Sequence, residues 1–338
     1  MKSIFALRAA GAYMVIVLFM CAACAWAEVG EVRIAQQFGV AYLPLMVIKK
    51  FGLIEKHAEK AGTGTVKVTW TTFSSGADMN TALLAGALDF ASGGVGPVLQ
   101  IWGRTRGNID VRAVAALGSL PLYLNTINPG IKTIGDFTGR DKIALPAVKV
   151  SIQAVILQMA AAQLFGEANY SALDTLTVGM SHPQATAALL SAGTEITAHF
   201  TSSPFQEQQL QDTRVRRVLN SYDVLGGPAT LNSLYATGKF RTDNPKVYAA
   251  VVAALREAMT IINRDKAAAA RIYVDEEKSR LAPEFVLKIL SDPQFIFTVA
   301  PQGFMRFAEF MYKTEALKSR PASWKDVFFP EMHGENGS

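Results

Sequence analysis

Residues 65–94 read TVKVTWTTFSSGADMNTALLAGALDFASGG, and this stretch predicts a strand, a helix and a second strand. Polar and apolar residues alternate over the first nine positions, which is the pattern of a strand with one buried face. Ser74 and Ser75 are residue types that cap helix N-termini, and the leucines that follow mark the buried face of the helix. The stretch from Leu88 then runs into glycines. A strand–helix–strand unit of this kind predicts an α/β fold with parallel neighbouring strands.

The same alternation continues on both sides of this unit. Upstream, EVRIAQQ predicts a strand, and a helix is expected from Leu43 to Gly62. Downstream, an extended piece after VRAVAALG leads to a second α/β unit that opens with DKIALPAV, and another extended piece, ATLNSLYAT, leads back to a helical C-terminal region. We therefore predict two lobes, each a mixed, mostly parallel sheet flanked by helices. The expected division is 28–124 and 228–338 for lobe 1 and 125–227 for lobe 2, with two crossovers that form a hinge.

The first 27 residues predict a secretory signal peptide. Lys2 and Arg8 precede an apolar run of about 16 residues, which is shorter than the ~20 that span a bilayer. Ala25 and Ala27 match the small residues that a signal peptidase reads, so cleavage after Ala27 and a periplasmic location are expected. An uncleaved anchor is one alternative. A lipoprotein at Cys21 or Cys24 is the other, although the residues before these cysteines are poor lipidation sites.

Composition narrows the classes of function. The two cysteines of the chain lie in the predicted signal peptide, so thiolate chemistry and disulfides are excluded from the exported part. The net charge of +5 is mild, and the basic residues are scattered, so no nucleic-acid partner is expected. The sequence contains none of the phosphate-binding, nucleophile-elbow or zinc-protease motifs, and its four histidines lack the spacing of a metal site. The chain is therefore expected to bind rather than catalyse, without a cofactor or metal.

Small, polar, glycine-containing loops recur between strands and helices. Lobe 1 contains FGVAY, SSGAD and SGGVG, and lobe 2 contains VKVS, SHPQ and TSSP. Ligands of open α/β sheets bind beyond the carboxyl ends of the strands, where helix N-termini present free N–H groups. These loops therefore predict a site for a small anion between the lobes. The competing interpretation is that the serines only cap helices and the glycines only form turns.

The chain resembles the solute-binding proteins of ABC importers, in particular the nitrate, sulfonate and taurine group, over nearly the whole exported part. The resemblance rests on AYLPLMVIKKFGLIEK, on FSSGADMNTALLAGALDFASGGVGPVLQ with its N-x-A-L-x-x-G-x-L-D-F phrase, and on PAVKVSIQAVILQMAAAQLFG. It implies the type II periplasmic-binding-protein fold. It also implies a monomer that captures a small solute, expected to be an anion such as a sulfonate, nitrate, taurine or an aromatic acid. A permease at the inner membrane would be the partner.

The resemblance also implies which loops contact the ligand. The residues at the matching positions are Gly39, Ala41, Tyr42, Ser74, Ser75, Gly76, Gly94 and Val95 in lobe 1, and Lys149, Val150, Ser151, His199, Phe200 and Thr201 in lobe 2. Lys149 is either a partner of an anionic ligand or a solvated charge, and His199 is either a ligand contact or a structural histidine. Sulfonate-binding relatives often have a serine- or glycine-rich stretch where this chain has Val148 to Ser151, which weakens the case for an alkanesulfonate.

Two other functions remain open. The family shares its domain with enzymes of pyrimidine synthesis, but the cysteine-rich motif of those enzymes is absent from this sequence. A sensory adaptor that presents its ligand to a receptor kinase is the second alternative, and the sequence does not distinguish it from an import protein. The identity of the solute is also left open.

Overall fold

The computed structural model describes residues 28–191 and 193–338; the predicted signal peptide and its cleavage site lie outside this range. Ten strands form two five-stranded sheets. In chain order they are β1 (Glu31–Gln36), β2 (Lys67–Thr72), β3 (Phe90–Gly94), β4 (Arg112–Ala116), β5 (Tyr123–Thr126), β6 (Ile143–Leu145), β7 (Thr177–Gly179), β8 (Ala198–Thr201), β9 (Arg216–Asn220) and β10 (Asn232–Ala236).

The two sheets have the same topology. The first has the order β2-β1-β3-β10-β4 and the second has the order β7-β6-β8-β5-β9. In each sheet the first three strands are parallel, and the fourth pairs antiparallel with both of its neighbours. Four strands of each sheet therefore run in one direction, and only the strand that the chain enters from a crossover, β10 or β5, opposes them. This confirms the predicted pair of mixed, mostly parallel sheets.

Thirteen α-helices occur in the described residues, together with short 3-10 turns. They are α1 (Leu43–Phe51), α2 (Leu53–Lys60), α3 (Gly76–Leu84), α4 (Val95–Thr105), α5 (Ile152–Phe165), α6 (His182–Leu190), α7 (Phe205–Gln209), α8 (Ser221–Leu225), α9 (Gly238–Asp243), α10 (Pro245–Arg264), α11 (Lys266–Glu277), α12 (Pro283–Leu290) and α13 (Phe304–Lys313). The single helix predicted from Leu43 to Gly62 is wrong in one respect. It divides at Gly52, whose φ of 59° is left-handed and ends α1.

The core of lobe 1 is sealed by the C-terminal part of the chain. Phe90 of β3 is fully buried and meets Phe240 edge to face, with ring centroids 4.8 Å apart. Phe328 forms a parallel bridge with Ala113 of β4, and its ring packs against Trp324 at 5.6 Å. The C-terminal segment therefore packs against lobe 1.

The two crossovers contact each other where the chain passes between the sheets. The chain leaves the first sheet at Ala116 and enters the second at Tyr123, and it re-enters the first sheet at Asn232. Ser119 bridges both Thr230 and Ile296, so three segments run side by side between the lobes. Gly118 has a φ of 129°, and a Cβ there would lie 2.8 Å from the Ile296 carbonyl oxygen. These two crossovers are the only covalent links between the lobes in the described part of the chain, and they lie where the hinge is expected.

No helix among the described residues is both long and apolar enough to span a membrane.

Candidate ligand site between the lobes

The two lobes touch along the carboxyl ends of their parallel strands. The backbone N–H of Val40, after β1, donates to the carbonyl oxygen of Ser203, after β8, at 2.9 Å. Glycines of lobe 1 permit close contact, because a Cβ at Gly94 would lie 2.8 Å from the Ile152 side chain and one at Gly96 would lie 2.7 Å from the Val150 carbonyl oxygen. The structure is therefore a closed arrangement of the lobes.

A small cavity remains between the lobes at this edge. Its volume of about 30 Å³ has room for one or two water molecules. Both lobes and one crossover line it: Gln37, Phe38, Tyr42, Gly76, Gly94, Pro97, Pro146, Ser151, Ile152, Gln153, His182, Ser202, Leu231 and Asn232. Among these described residues, no side chain is a lysine, arginine, aspartate or glutamate. Any charge that the cavity attracts must therefore be matched by backbone and neutral groups.

Four helices begin at the cavity. The first residues of α3 and α6, Gly76 and His182, line it, and so do Gly94 and Ser151, which directly precede α4 and α5. Helix N-termini carry a partial positive charge and N–H groups without intrahelical partners. No side chain caps α4 or α6, so their first N–H groups lack a side-chain acceptor. Two helices from each lobe thus direct positive potential at one small space, an arrangement that favours an anion.

Lobe 1 adds a pair of buried polar side chains. Gln37 Nε2 donates to the Tyr42 hydroxyl at 2.7 Å, and both residues line the cavity. Burial, assisted by the neighbouring Tyr235, raises the pKa of the Tyr42 phenol far above its ordinary value of 10. The phenol therefore stays protonated at physiological pH. Because Gln37 already donates to the Tyr42 oxygen, the hydroxyl proton of Tyr42 is available to donate to a ligand.

Lobe 2 contributes a buried pair of histidines. His182 lines the cavity, and its Nδ1 lies 3.0 Å from Nε2 of His199, which has no exposed surface. Burial lowers the pKa of His182 to about 3, and burial together with the proximity of His182 lowers the pKa of His199 well below 6.5. Both rings are therefore neutral at physiological pH, and this pair supplies polarity without charge.

The predicted ligand residues are dispersed around the cavity in different roles. Four of them line it: Tyr42, Gly76, Gly94 and Ser151. Three others lie at or behind the lobe contact, where Gly39 and Val150 approach the opposite lobe and Thr201 Oγ1 lies 3.2 Å from His182 Nδ1. Ser75 caps α3 by accepting from the Asp78 N–H at 3.2 Å, and Ala41, Val95 and Phe200 are buried in the core. Ser74 and Lys149 are exposed.

The exposed Lys149 belongs to a different environment from the cavity. It has a left-handed backbone with a φ of 66°, and its charge acts on Asp174, whose carboxylate accepts from Gln158. His199 supports His182 from behind. Neither Lys149 nor His199, the two charged or titratable ligand residues predicted for lobe 2, lines the cavity.

Sequence reasoning missed several cavity residues. His182 and Ser202 lie in the loops SHPQ and TSSP, which the sequence marked as helix entries, but neither residue was selected. Gln153 is the second residue of α5, where a glutamine looks like an ordinary helical side chain. Asn232 begins β10, the antiparallel strand, so it does not follow the rule for the ends of parallel strands. The described residues contain no group of three or more side chains suited to hold a metal ion.

Comparison with known proteins reveals similarity at the level of structure. No protein-family model matches the sequence, and no curated protein matches it significantly. The alkanesulfonate-binding protein SsuA from Xanthomonas axonopodis pv. citri, solved with bound MOPS, matches 90% of this chain and 99% of its own at a TM-score of 0.70 and 20% identity. The periplasmic nitrate-binding protein NrtA from Synechocystis PCC 6803 matches 90% of this chain and 87% of its own at a TM-score of 0.71 and 15% identity.

A third example comes from the same group of structures. The periplasmic aliphatic sulphonate binding protein SsuA from Escherichia coli matches 89% of this chain and 99% of its own at a TM-score of 0.63 and 18% identity. At such identities the likeness concerns the arrangement of the elements. The chain has the two-lobed fold of periplasmic solute-binding proteins.

Proposed function

We propose that this protein is the periplasmic solute-binding component of an ABC importer, which captures a small anionic solute between its lobes. The observation that carries the proposal is the convergence of four helix N-termini, two from each lobe, on a cavity lined by neutral groups. This geometry stabilises negative charge without a lysine or arginine. The names of the similar structures, which include sulfonate- and nitrate-binding proteins, agree with an oxyanion as the solute.

Capture proceeds by closure of the hinge. A ligand shifts an open–closed equilibrium only by its higher affinity for one state. Here that difference arises because the helix N-termini of both lobes surround the anion only when the lobes meet. The contact between Val40 and Ser203 then completes the closed shape. A permease at the inner membrane would recognise that shape and receive the solute.

The size of the cavity constrains the bound part of the solute. Because the closed cavity of about 30 Å³ holds one or two waters, it suits nitrate or a single oxyanion headgroup. A taurine-like or aromatic acid solute requires the lobes to part further around its remainder. The protein acts as a monomer without a cofactor in this proposal, and it performs no chemistry on the solute. Export by the signal peptide and cleavage after Ala27 complete the proposal.

The test is a ligand screen by thermal unfolding. The exported chain is purified through unfolding and refolding to remove any retained solute. It is then screened with nitrate, bicarbonate, methanesulfonate, taurine, benzenesulfonate and benzoate, with choline and arginine as cationic controls. A ligand at 100 times its Kd adds about 2.7 kcal/mol to the free energy of unfolding. Stabilisation by one class of oxyanion is expected, while stabilisation by the cations alone, or by none of the compounds, contradicts the proposal.

A further inference from the structure

A row of buried polar side chains in lobe 2 connects the backbone of α7 with the cavity. It starts at the carbonyl oxygen of Gln206, continues through Asn125 and Gln209, and ends at His199 and His182. Asn125, His199 and Gln209 have no exposed surface, and His182 is 7% exposed. Each contact in the row is a hydrogen bond, so the direction of donation at one end determines the direction at the other.

The first two members fix the orientation of an amide. The Gln206 carbonyl oxygen is only an acceptor, and it lies 3.0 Å from Nδ2 of Asn125, which must therefore be the amide nitrogen. The same Nδ2 donates to Oε1 of Gln209 at 3.1 Å. The amide nitrogen of Gln209 is consequently turned the other way. It donates to Nδ1 of His199 at 2.7 Å and to the Thr186 hydroxyl at 2.9 Å.

The amide in turn selects the tautomers of both histidines. His199 accepts at Nδ1, so its proton resides on Nε2. That Nε2–H points at Nδ1 of His182 at 3.0 Å, and a contact of this length requires one nitrogen without a proton. His182 therefore accepts at Nδ1 and carries its own proton on Nε2. This second nitrogen faces the Gln153 amide at 3.4 Å, at the wall of the cavity.

We propose that His182 binds the solute as a hydrogen-bond donor through its Nε2–H, and that Asn125, Gln209 and His199 are positioning residues that hold it in this tautomer. The inference rests on the proposed function, because it assumes that the solute occupies the cavity. The nearest atom of Gln153 to His182 Nε2 is its amide nitrogen, at 3.4 Å, which is itself a donor, so the Nε2–H finds no acceptor in this amide as it is oriented. A solute oxygen supplies that acceptor. The low pKa of His182 agrees with a neutral ring.

This arrangement narrows the class of solute. A fixed N–H at this point donates only to a group with a free lone pair, such as an oxygen of nitrate, a sulfonate or a carboxylate. A solute that presents an ammonium or amide N–H there would leave two donors facing each other in a buried space, which is costly. The row of hydrogen bonds therefore selects deprotonated oxyanions over amines and amides of the same shape.

The tautomers can be tested without any ligand. Protein labelled with ¹⁵N in its histidine rings is examined by two-bond ¹H–¹⁵N correlation spectroscopy, and signals are assigned from His182→Gln and His199→Gln. The Nε2–H form is expected for both rings. Gln209→Met removes the donor to His199 and should release both rings into mixed tautomers. Thr186→Val removes the other partner of the same Gln209 nitrogen and should leave them unchanged.

Urea unfolding reports whether each variant remains folded, and the signals of His57 and His333, which lie in lobe 1 segments outside the row, serve as unperturbed references. An Nδ1–H form of His182 in the unaltered protein would contradict the tautomers that the row is proposed to hold. So would a folded Gln209→Met variant whose tautomers are the same as those of the unaltered protein.

The ligand role is tested with nitrate and methanesulfonate as probes. Saturation should shift the Nε2 signal of His182 more than that of His199. His182→Phe should weaken binding at least about tenfold, because a hydrogen bond to a charged group is lost, whereas His182→Gln, which can present an amide N–H, should retain most of the affinity. Binding that leaves the His182 signals unmoved overturns its ligand role alone. If neither probe binds, the ligand role of His182 is contradicted together with the proposed function. The tautomers measured on the free protein still test whether Asn125, Gln209 and His199 hold His182 in its Nε2–H form.

Discussion

The two walls of the cavity are built in different ways. The lobe 1 wall relies on glycines: Gly94 lets the start of α4 approach the Ile152 side chain of lobe 2, and Gly96 lets it approach the Val150 carbonyl oxygen. The lobe 2 wall relies on side chains, and His182 is backed by a row of buried hydrogen bonds. Lobe 1 thus determines how closely the lobes approach and adds the Tyr42 hydroxyl, and lobe 2 adds the histidine donor held by the row of hydrogen bonds. Mutations can therefore change the selectivity for the solute and the closure of the lobes separately.

The largest effect is expected from Gly96→Ala on the lobe 1 wall. Its Cβ would lie 2.7 Å from the Val150 carbonyl oxygen, so the closed state is overpacked while lobe 1 itself is unaffected. Overpacking costs about 1–3 kcal/mol, which corresponds to about fivefold to about 150-fold weaker binding of the solute. Calorimetry measures the affinity, and small-angle scattering measures the fraction of closed molecules.

Gly103→Ala is the matched control in the same helix. Its Cβ would approach only Leu317 Cδ1, a side-chain methyl that can rotate away. Its affinity should therefore remain close to that of the unaltered protein. If Gly96→Ala bound the solute equally well, closure would not depend on this contact.

The next effect concerns acid stability and the lobe 2 wall. The pKa of His182 is about 3 in the folded protein and about 6.5 in the unfolded chain, so the unfolded state binds more protons as pH falls below 6.5. The stability is complete above pH 6.5 and is lost towards pH 3. The loss due to this residue is about 2 kcal/mol at pH 5.

Urea unfolding at pH 7.5 and pH 5 measures this loss. His182→Gln, which removes the titrating ring, should lose about 2 kcal/mol less than the unaltered protein over this interval. Equal losses in the two proteins would show that the ring is not held neutral by burial.

A smaller effect is expected from Tyr42→Phe, which tests the one polar pair of the lobe 1 wall. The change removes the acceptor of Gln37 and a donor to the solute, and a hydrogen bond contributes about 0.5–1.5 kcal/mol. The affinity should fall about twofold to tenfold. Tyr312→Phe, at an exposed position of α13, serves as the control. An unchanged affinity in Tyr42→Phe would leave selection entirely to the lobe 2 wall.

The smallest effect is expected from Lys149→Ala. This lysine is exposed and acts on Asp174 outside the cavity, so the affinity should change by less than about twofold. Lys149→Gly should be more stable than Lys149→Ala by about 1 kcal/mol, because the left-handed φ of 66° favours glycine. A tenfold loss of affinity in Lys149→Ala would instead make this side chain a ligand contact.

Much of the candidate site was predictable, but with limited precision. The small polar loops after β1, β3 and β6 are visible in the sequence, and Tyr42, Gly94 and Ser151 within them do line the cavity. Within the loop SHPQ, however, nothing local indicates that His182 faces the cavity. The orientation of His182 depends on the ring of His199 behind it, which lies on β8.

The sequence by itself determined the elements, the two crossovers and the edge of the sheets where the helix N-termini gather. These features follow from the periodicity of apolar residues, from capping residues and from turn residues, which act over a few neighbouring positions. Only the tertiary structure decided the closed contact of Gly96 with Val150, the removal of Lys149 from the cavity and the direction of the hydrogen bonds from Gln206 to His182. Each of these depends on atoms that are distant in the chain and meet only when both lobes have folded and closed.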